Sequence, residues 1–216
     1  MNKTDLKLYA ITDRQWLQGA RLSEHVKLAI EGGATMIQIR DKDILSTDSD
    51  AGLKDEYSEA LEIKRICHEH KVPLIINDNV QFAIDIDADG VHLGQDDMNP
   101  AEARKLLGTD KIIGVTAKTV EQAKKAQADG ADYLGSGAVF GSTTKLNAKP
   151  MTKELLSEIT AAVDIPVVAI GGISADNAAT LKGTGIAGIA VVGAIFASED
   201  IKAAARELSE ICDNML

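Results

Sequence analysis

Eight times along the chain, a short apolar run rich in valine and isoleucine precedes a longer stretch whose apolar residues fall at helical spacing. The runs are Leu8–Thr12, Met36–Arg40, Pro73–Asn77, Gly90–Leu93, Ile112–Val115, Tyr133–Ser136, Val167–Ile170 and Gly188–Val192. Such near-continuous apolar segments suit parallel strands covered on both faces. Eight units in 216 residues leave 27 residues for each, little more than a strand, a helix and two turns need. Alternation alone is also compatible with an open doubly wound sheet. The short unit favours closure, so the pattern predicts a single (β/α)8 barrel domain spanning residues 1–216, and no composition shift or linker divides it.

Local signals mark the joints. Ile201, Ala205, Leu208 and Cys212 form one apolar stripe separated by Lys202, Arg206 and Glu210, as on a helix that covers a core with one face. Asn99-Pro100-Ala101-Glu102 and Thr119-Val120-Glu121-Gln122 read as helix starts, the second as a capping box. Glycine-bearing lead-ins at Gly32-Gly33, Asp89-Gly90, Gly130 and Gly183–Gly185 are expected where a helix stops and the chain re-enters the sheet. Two long polar connections, Asp41–Leu53 and Phe140–Thr152, follow strands and therefore belong to the C-terminal rim, where barrels carry their active sites.

Composition narrows the classes. At 45% hydrophobic residues the chain is too apolar for disorder, and no run approaches the ~18 apolar residues of a membrane helix. Met1 to Leu8 lack the apolar centre of a secretory leader, and Cys67 and Cys212 sit in helical patterns as two buried, reduced thiols, so the expectation is a cytoplasmic protein. The net charge of −10 excludes a basic nucleic-acid-binding face. The partners expected are small molecules, with no nucleic acid and no membrane, and an oligomeric state is not evident.

Polar residues at the strand ends carry the chemistry. Period two places Gln38, Arg40 and Lys42 of Gln38-Ile39-Arg40-Asp41-Lys42 on one side, and two cations there suit a diphosphate. Asn77-Asp78 follows the third strand and Gly94-Gln95-Asp96-Asp97 the fourth, so Asp78 and Asp97 form a candidate magnesium pair. Thr116 and Lys118 follow the fifth strand, and Ser142-Thr143-Thr144-Lys145 lies in the loop after the sixth. Neither that loop nor Gly135-Ser136-Gly137 has the glycine spacing of a nucleotide fingerprint. Gly171-Gly172 and Val192-Gly193 end the last two strands, where backbone N–H groups can approach a phosphate. His92, inside the fourth strand, reads as a hydrogen-bonded core histidine. Two anion sites on one rim result.

From Tyr9-Ala10-Ile11-Thr12-Asp13 through Val191-Val192-Gly193-Ala194-Ile195-Phe196 the chain resembles the thiamine phosphate synthase (thiamine-phosphate pyrophosphorylase) family. Its most specific motifs are Gln38-Ile39-Arg40-Asp41-Lys42, Asn77-Asp78 and Asp89-Gly90-Val91-His92-Leu93-Gly94-Gln95-Asp96-Asp97, supported by Thr144-Lys145 and Gly171-Gly172-Ile173. The resemblance implies a TIM barrel transferase of thiamine biosynthesis that condenses 4-amino-2-methyl-5-pyrimidinylmethyl diphosphate with a thiazole phosphate. The products implied are thiamine phosphate and diphosphate, formed by a dissociative, carbocation-like route with one Mg2+ ion. It implies that Gln38, Ile39, Arg40, Asp41, Lys42 and Asn77 bind the pyrimidine diphosphate, and that Asp78 and Asp97 hold the metal. Thr116 and Lys145 would bind the diphosphate, Ser142, Thr143 and Thr144 the thiazole, and Gly171, Val192 and Gly193 its phosphate. Arg40, Lys42 and Lys145 would be the catalytic charges.

Six positions depart from the family pattern: Thr116 for serine, Lys118 for histidine, Gly141-Ser142 for Pro-Thr, Asn147 for aspartate and Gly193 for serine. Two other activities fit such a barrel, a thiazole tautomerase and a non-catalytic phosphate-ligand-binding protein. Neither needs the set Arg40, Lys42, Asp78, Asp97 and Lys145, which favours the synthase.

Overall fold

The computed structural model describes residues 2–40, 50–141 and 150–216, and side chains from residue 55 onward in the second of these stretches. Eight parallel strands close into a barrel: β1 (Leu8–Ile11), β2 (Met36–Ile39), β3 (Leu74–Asn77), β4 (Gly90–Leu93), β5 (Ile112–Thr116), β6 (Tyr133–Gly137), β7 (Val167–Ile170) and β8 (Gly188–Val191). Each pairs with the next, and β8 returns to β1 with Ile189 beside Leu8. The open sheet is thereby excluded, and every strand starts or stops within a residue of the sequence expectation.

Between the strands run α1 (Leu22–Glu31), α2 (Asp50–His70), α3 (Val80–Asp85), α4 (Pro100–Leu107), α5 (Val120–Ala128), α6 (Lys153–Ala161), α7 (Ala175–Ala178), α8 (Gly193–Phe196) and α9 (Ile201–Met215). The caps work as the sequence predicts, with one change. Asn99 accepts from the Ala101 N–H ahead of Pro100, and Thr119 accepts from the Gln122 N–H. Gln122, however, returns its side chain to the N–H of Lys118 rather than to that of Thr119, so the box closes one residue early. The stripe on α9 is buried at Ile201, Ala205, Leu208 and Cys212, with Met215 added. None of the described helices is long and apolar enough to cross a membrane.

Period-two alternation divides the strand residues between two apolar clusters. Leu8, Ala10, Ile37, Ile39, Leu74, Ile76, Val91 and Leu93 point outward into the layer beneath the helices. Tyr9, Ile11, Met36, Ile75, Ile112, Tyr133, Val168 and Ala190 fill the barrel interior, with Leu6 closing its lower end. Both cysteines are free and buried, and burial pushes the Cys67 thiol up to about 12 and that of Cys212 up to about 11. Neither thiol is ionised near neutral pH, so neither is poised as a nucleophile.

One sequence expectation changes. Asp50–Leu53 belong to α2 and not to a loop; residues 41–49 lie outside the described residues. Of the second long connection, Phe140 donates its N–H to the Gly171 carbonyl and Met151 to that of Ala138, at 3.0 and 2.7 Å. Both ends are thus tied to the rim, while residues 142–149 lie outside the described residues.

Gly90 opens β4, as the sequence predicts. The left-handed residue at that joint is Asp87, at φ +52°, whereas Gly90 lies within β4. A Cβ on Gly90 would sit 2.1 Å from the Ile112 carbonyl oxygen of the neighbouring strand. Backbone can yield only by opening the barrel. Gly90→Ala is expected to cost roughly 3 kcal/mol or more, seen as a lower urea midpoint at unchanged slope. An unchanged midpoint would show that the strands separate freely there.

Candidate active site

The inward residues of the lower barrel are apolar, while those one step along each strand toward its C-terminal end are polar. After Met36 comes Gln38 and then Arg40; after Ile75 comes Asn77; after Gly90 comes His92; after Gly114 comes Thr116. Closing the sheet gathers these side chains around one cavity of about 340 Å3. Gln38, Arg40, Asn77 and Thr116 line one side, and Gly171, Val192 and Gly193 the other. Seven residues singled out from the sequence therefore share one space. A second cavity, of about 420 Å3, lies at the opposite end beside Lys3 and Pro166. There Thr160 donates to the Thr184 carbonyl and Asp132 accepts from Arg104.

Arg40 is held in place. Its N–H donates to the Thr12 hydroxyl at 3.1 Å, and its guanidinium stands 3.9 Å from Asp13. Asp13 also caps the short turn Arg14–Trp16 through the Gln15 N–H. A partner at that distance orients the cation without spending its donor fork, which leaves the guanidinium available for an oxyanion. Ile39 behaves differently: it is 3% exposed and turned outward under the helices, because its neighbours Gln38 and Arg40 take the inward phase.

Asp78 and Asp97 are exposed and lie outside the cavity wall, on the turns that follow β3 and β4. Asp78 adopts φ +61°, a left-handed conformation that aspartate tolerates better than most residues. Its N–H donates to the His92 carbonyl, and its carboxylate accepts from the Asn77 amide at 2.6 Å. Asp97 Oδ2 accepts from the Gly94 N–H at 2.6 Å, which folds the turn back on itself. The donor set is therefore carboxylate oxygen, with no thiolate. Among the described residues no three His, Cys, Asp or Glu side chains form a metal cluster. One or two carboxylates completed by phosphate oxygens is the pattern magnesium favours, so the residues present fit that ion.

At the far wall α8 starts directly after β8. The Ile195 and Phe196 N–H groups bond the Val192 carbonyl, while among the described residues nothing bonds those of Gly193 and Ala194. Trp16 covers this corner: a Cβ on Gly193 would meet its ring at 3.3 Å. Glycine here thus matches the bulk of Trp16. Asp41, Lys42, Ser142, Thr143, Thr144 and Lys145 lie outside the described residues.

The sequence missed the aromatic floor of the cavity. Tyr9 and His92 line it, and Tyr133 lies fully buried behind them. Gln38 Nε2 donates to the Tyr9 hydroxyl at 2.5 Å, and the two tyrosine hydroxyls are 2.9 Å apart. Tyr133 meets His92 Nδ1 at 3.0 Å, and His92 Nε2 meets the Thr116 hydroxyl at 3.0 Å. A signal existed in the interior glycines of two strands, which mark close approaches. A Cβ on Gly114 would collide with the Tyr133 ring at 2.1 Å, and one on Gly135 would stand 3.1 Å from His92.

Known proteins share this architecture. A model of the family described as thiamine monophosphate synthase matches residues 8–195. A thiamine-phosphate synthase of Ruminiclostridium cellulolyticum is 48% identical over 99% of this chain and 98% of its own. One of Clostridium tetani is 46% identical over 95% of each. The solved thiamine phosphate pyrophosphorylase from Pyrococcus furiosus superposes with a TM-score of 0.87 at 38% identity, covering 99% of this chain and 98% of its own. A 3-hexulose-6-phosphate synthase, 18% identical with a TM-score of 0.66 and covering 95% of this chain and 99% of its own, shares the fold alone. With the family model covering most of the barrel and relatives this similar along nearly their whole length, the chain belongs to the thiamine monophosphate synthase family.

Proposed function

We propose that this protein joins an aminopyrimidinylmethyl diphosphate to a thiazole phosphate, giving thiamine phosphate and diphosphate, in the cytoplasm. The observation that carries this is the single cavity with a polar, cationic wall at Gln38, Arg40, Asn77 and Thr116 facing a glycine-built corner at Gly171, Val192 and Gly193. Two phosphorylated molecules can meet there with their reactive ends between the walls.

In the reaction, the C–O bond of the pyrimidinylmethyl diphosphate breaks with its electron pair leaving on the diphosphate. The thiazole nitrogen then donates its lone pair to the methylene carbon to form the C–N bond. No side-chain nucleophile is required. Arg40 and the Thr116 hydroxyl meet the charge that develops on the leaving group, joined by Lys42 and Lys145 as the resemblance implies. Fixed charges that need no reorganisation are the most effective stabilisers of such a departure. Asp78 and Asp97 would hold one Mg2+ ion, which when bound supplies further positive charge to the diphosphate. Gly171, Val192 and Gly193 bind the thiazole phosphate through backbone N–H groups, and Ser142, Thr143 and Thr144 contact the ring. The cavity walls Ile11, Val168, Ile170 and Ile173 are apolar, which keeps water from the electrophilic carbon.

The test is direct. Purified protein given both substrates and magnesium should release thiamine phosphate and diphosphate in equal amounts, and a chelator should stop it. No product with magnesium present overturns the assignment.

A further inference from the structure

The five groups Gln38, Tyr9, Tyr133, His92 and Thr116 form an unbroken hydrogen-bonded line across the barrel, from β2 to β5. Gln38, Tyr9, His92 and Thr116 line the cavity and Tyr133, at the centre, does not; Tyr133 is 0% exposed, Tyr9 1% and Gln38 2%. A phenol has one hydrogen, a neutral imidazole one N–H and one acceptor nitrogen, and a primary amide a donor end and an acceptor end. With His92 neutral, the line therefore satisfies every contact in only two ways. In one, the Gln38 NH2 donates to Tyr9, Tyr9 to Tyr133, Tyr133 to His92 Nδ1, and His92 Nε2–H to the Thr116 oxygen. In the other, every donor is reversed, and the Gln38 carbonyl accepts from Tyr9. Any mixture leaves one contact with two hydrogens or with none, and around the fully buried Tyr133 hydroxyl unmet polar groups are costly. Nor can the line break by ionisation at its centre, because burial holds both phenols far above the ordinary tyrosine range.

We propose that these residues act as a polarised wire that couples the two ends of the pyrimidine diphosphate site, with Tyr9, Tyr133 and His92 as positioning residues; this rests on the functional reading above. A diphosphate oxygen is only an acceptor, so a diphosphate at Thr116 makes that hydroxyl donate to it. The Thr116 oxygen then accepts from His92 Nε2–H, which sets the first of the two orders along the whole line. Gln38 consequently spends its NH2 on Tyr9 and turns its carbonyl oxygen to the cavity. A ring presenting an amino group there is accepted, and one presenting an oxo group meets a second acceptor. Anion at one wall and amino group at the other are thus recognised as a unit, and each raises the affinity for the other.

The experiment compares the aminopyrimidine diphosphate with its 4-oxo analogue, as the ratio of the analogue's Ki to the substrate's KM. Tyr133→Phe keeps the ring and removes one hydroxyl that does not line the cavity. It should lower that ratio about tenfold, and Thr116→Val should do the same. The double variant should lower it no further, because either change alone already uncouples the ends. A merely structural role for Tyr133 would weaken both ligands alike and leave the ratio at the wild-type value, which overturns the wire; so would additive effects in the double variant. A second readout needs no turnover. With inorganic diphosphate bound, 15N NMR of His92, assigned against His92→Gln, should show the Nε2–H tautomer in wild type and a mixture in Tyr133→Phe. A wild-type Nδ1–H tautomer, or a doubly protonated imidazole, overturns the proposal even if product forms. Absence of product from the amino substrate overturns the functional reading instead, and the tautomer still decides the wire.

Discussion

Replacing Arg40 by alanine is expected to lower kcat/KM for the pyrimidine diphosphate by about 10²–10³, with the thermal midpoint little changed. Arg40 ends the inward phase of β2 and reaches the cavity with its guanidinium 3.9 Å from Asp13, so the loss is of a preorganised charge and not of packing. The loss should fall mainly on kcat, since the charge it meets grows as the C–O bond breaks. Arg40→Lys should recover only part, because an ammonium lacks the planar two-point fork. Asp13→Asn offers a graded control: it keeps the turn cap and removes the partner charge, so a loss of only a few-fold is expected. Steady-state rates for the three variants check this. Equal activity of Arg40→Ala and wild type would move the diphosphate elsewhere.

For Asp97→Asn the expected result is a fall in turnover of about 10² at fixed magnesium, partly regained as magnesium is raised. Asparagine is chosen because Asp97 does two jobs. Its Oδ2 accepts the Gly94 N–H that closes the turn, and an amide oxygen can still accept that bond. Asp97→Ala removes the turn as well as the charge, so the difference between the two variants isolates the structural part. Magnesium titrations of activity separate the cases, and an Asn variant with wild-type rate and magnesium dependence would remove Asp97 from the metal site.

The barrel was legible because its evidence is local and repeated. Eight apolar runs at short spacing leave little choice of architecture, and caps such as Asn99-Pro100 announce their helices within four residues. Period two likewise carried Gln38 and Arg40 to the inside without any knowledge of their neighbours. The same rule sends Ile39 to the outside. Gly90 reads as a strand residue, but which of glycine's two uses it serves, a left-handed turn or a close contact, only the distance to the Ile112 carbonyl decides. Asp50–Leu53 read as loop because Gly52 is a poor helix former.

The line from Gln38 to Thr116 lay beyond sequence reasoning. Tyr9 and Tyr133 are 124 residues apart, and each is by composition an ordinary core aromatic. Their hydroxyls meet because β1 and β6 face one another across a closed barrel, and because Gly114 and Gly135 leave space for the Tyr133 and His92 rings. Strand phase is a property of a residue and its immediate neighbours, so the chain by itself determined which side chains point inward and which end of the barrel carries the chemistry. Which inward groups touch depends on sheet closure, register and the volume left by glycines elsewhere, and the tertiary structure alone decided that. Recognition of two substrate ends as one unit depends on those contacts.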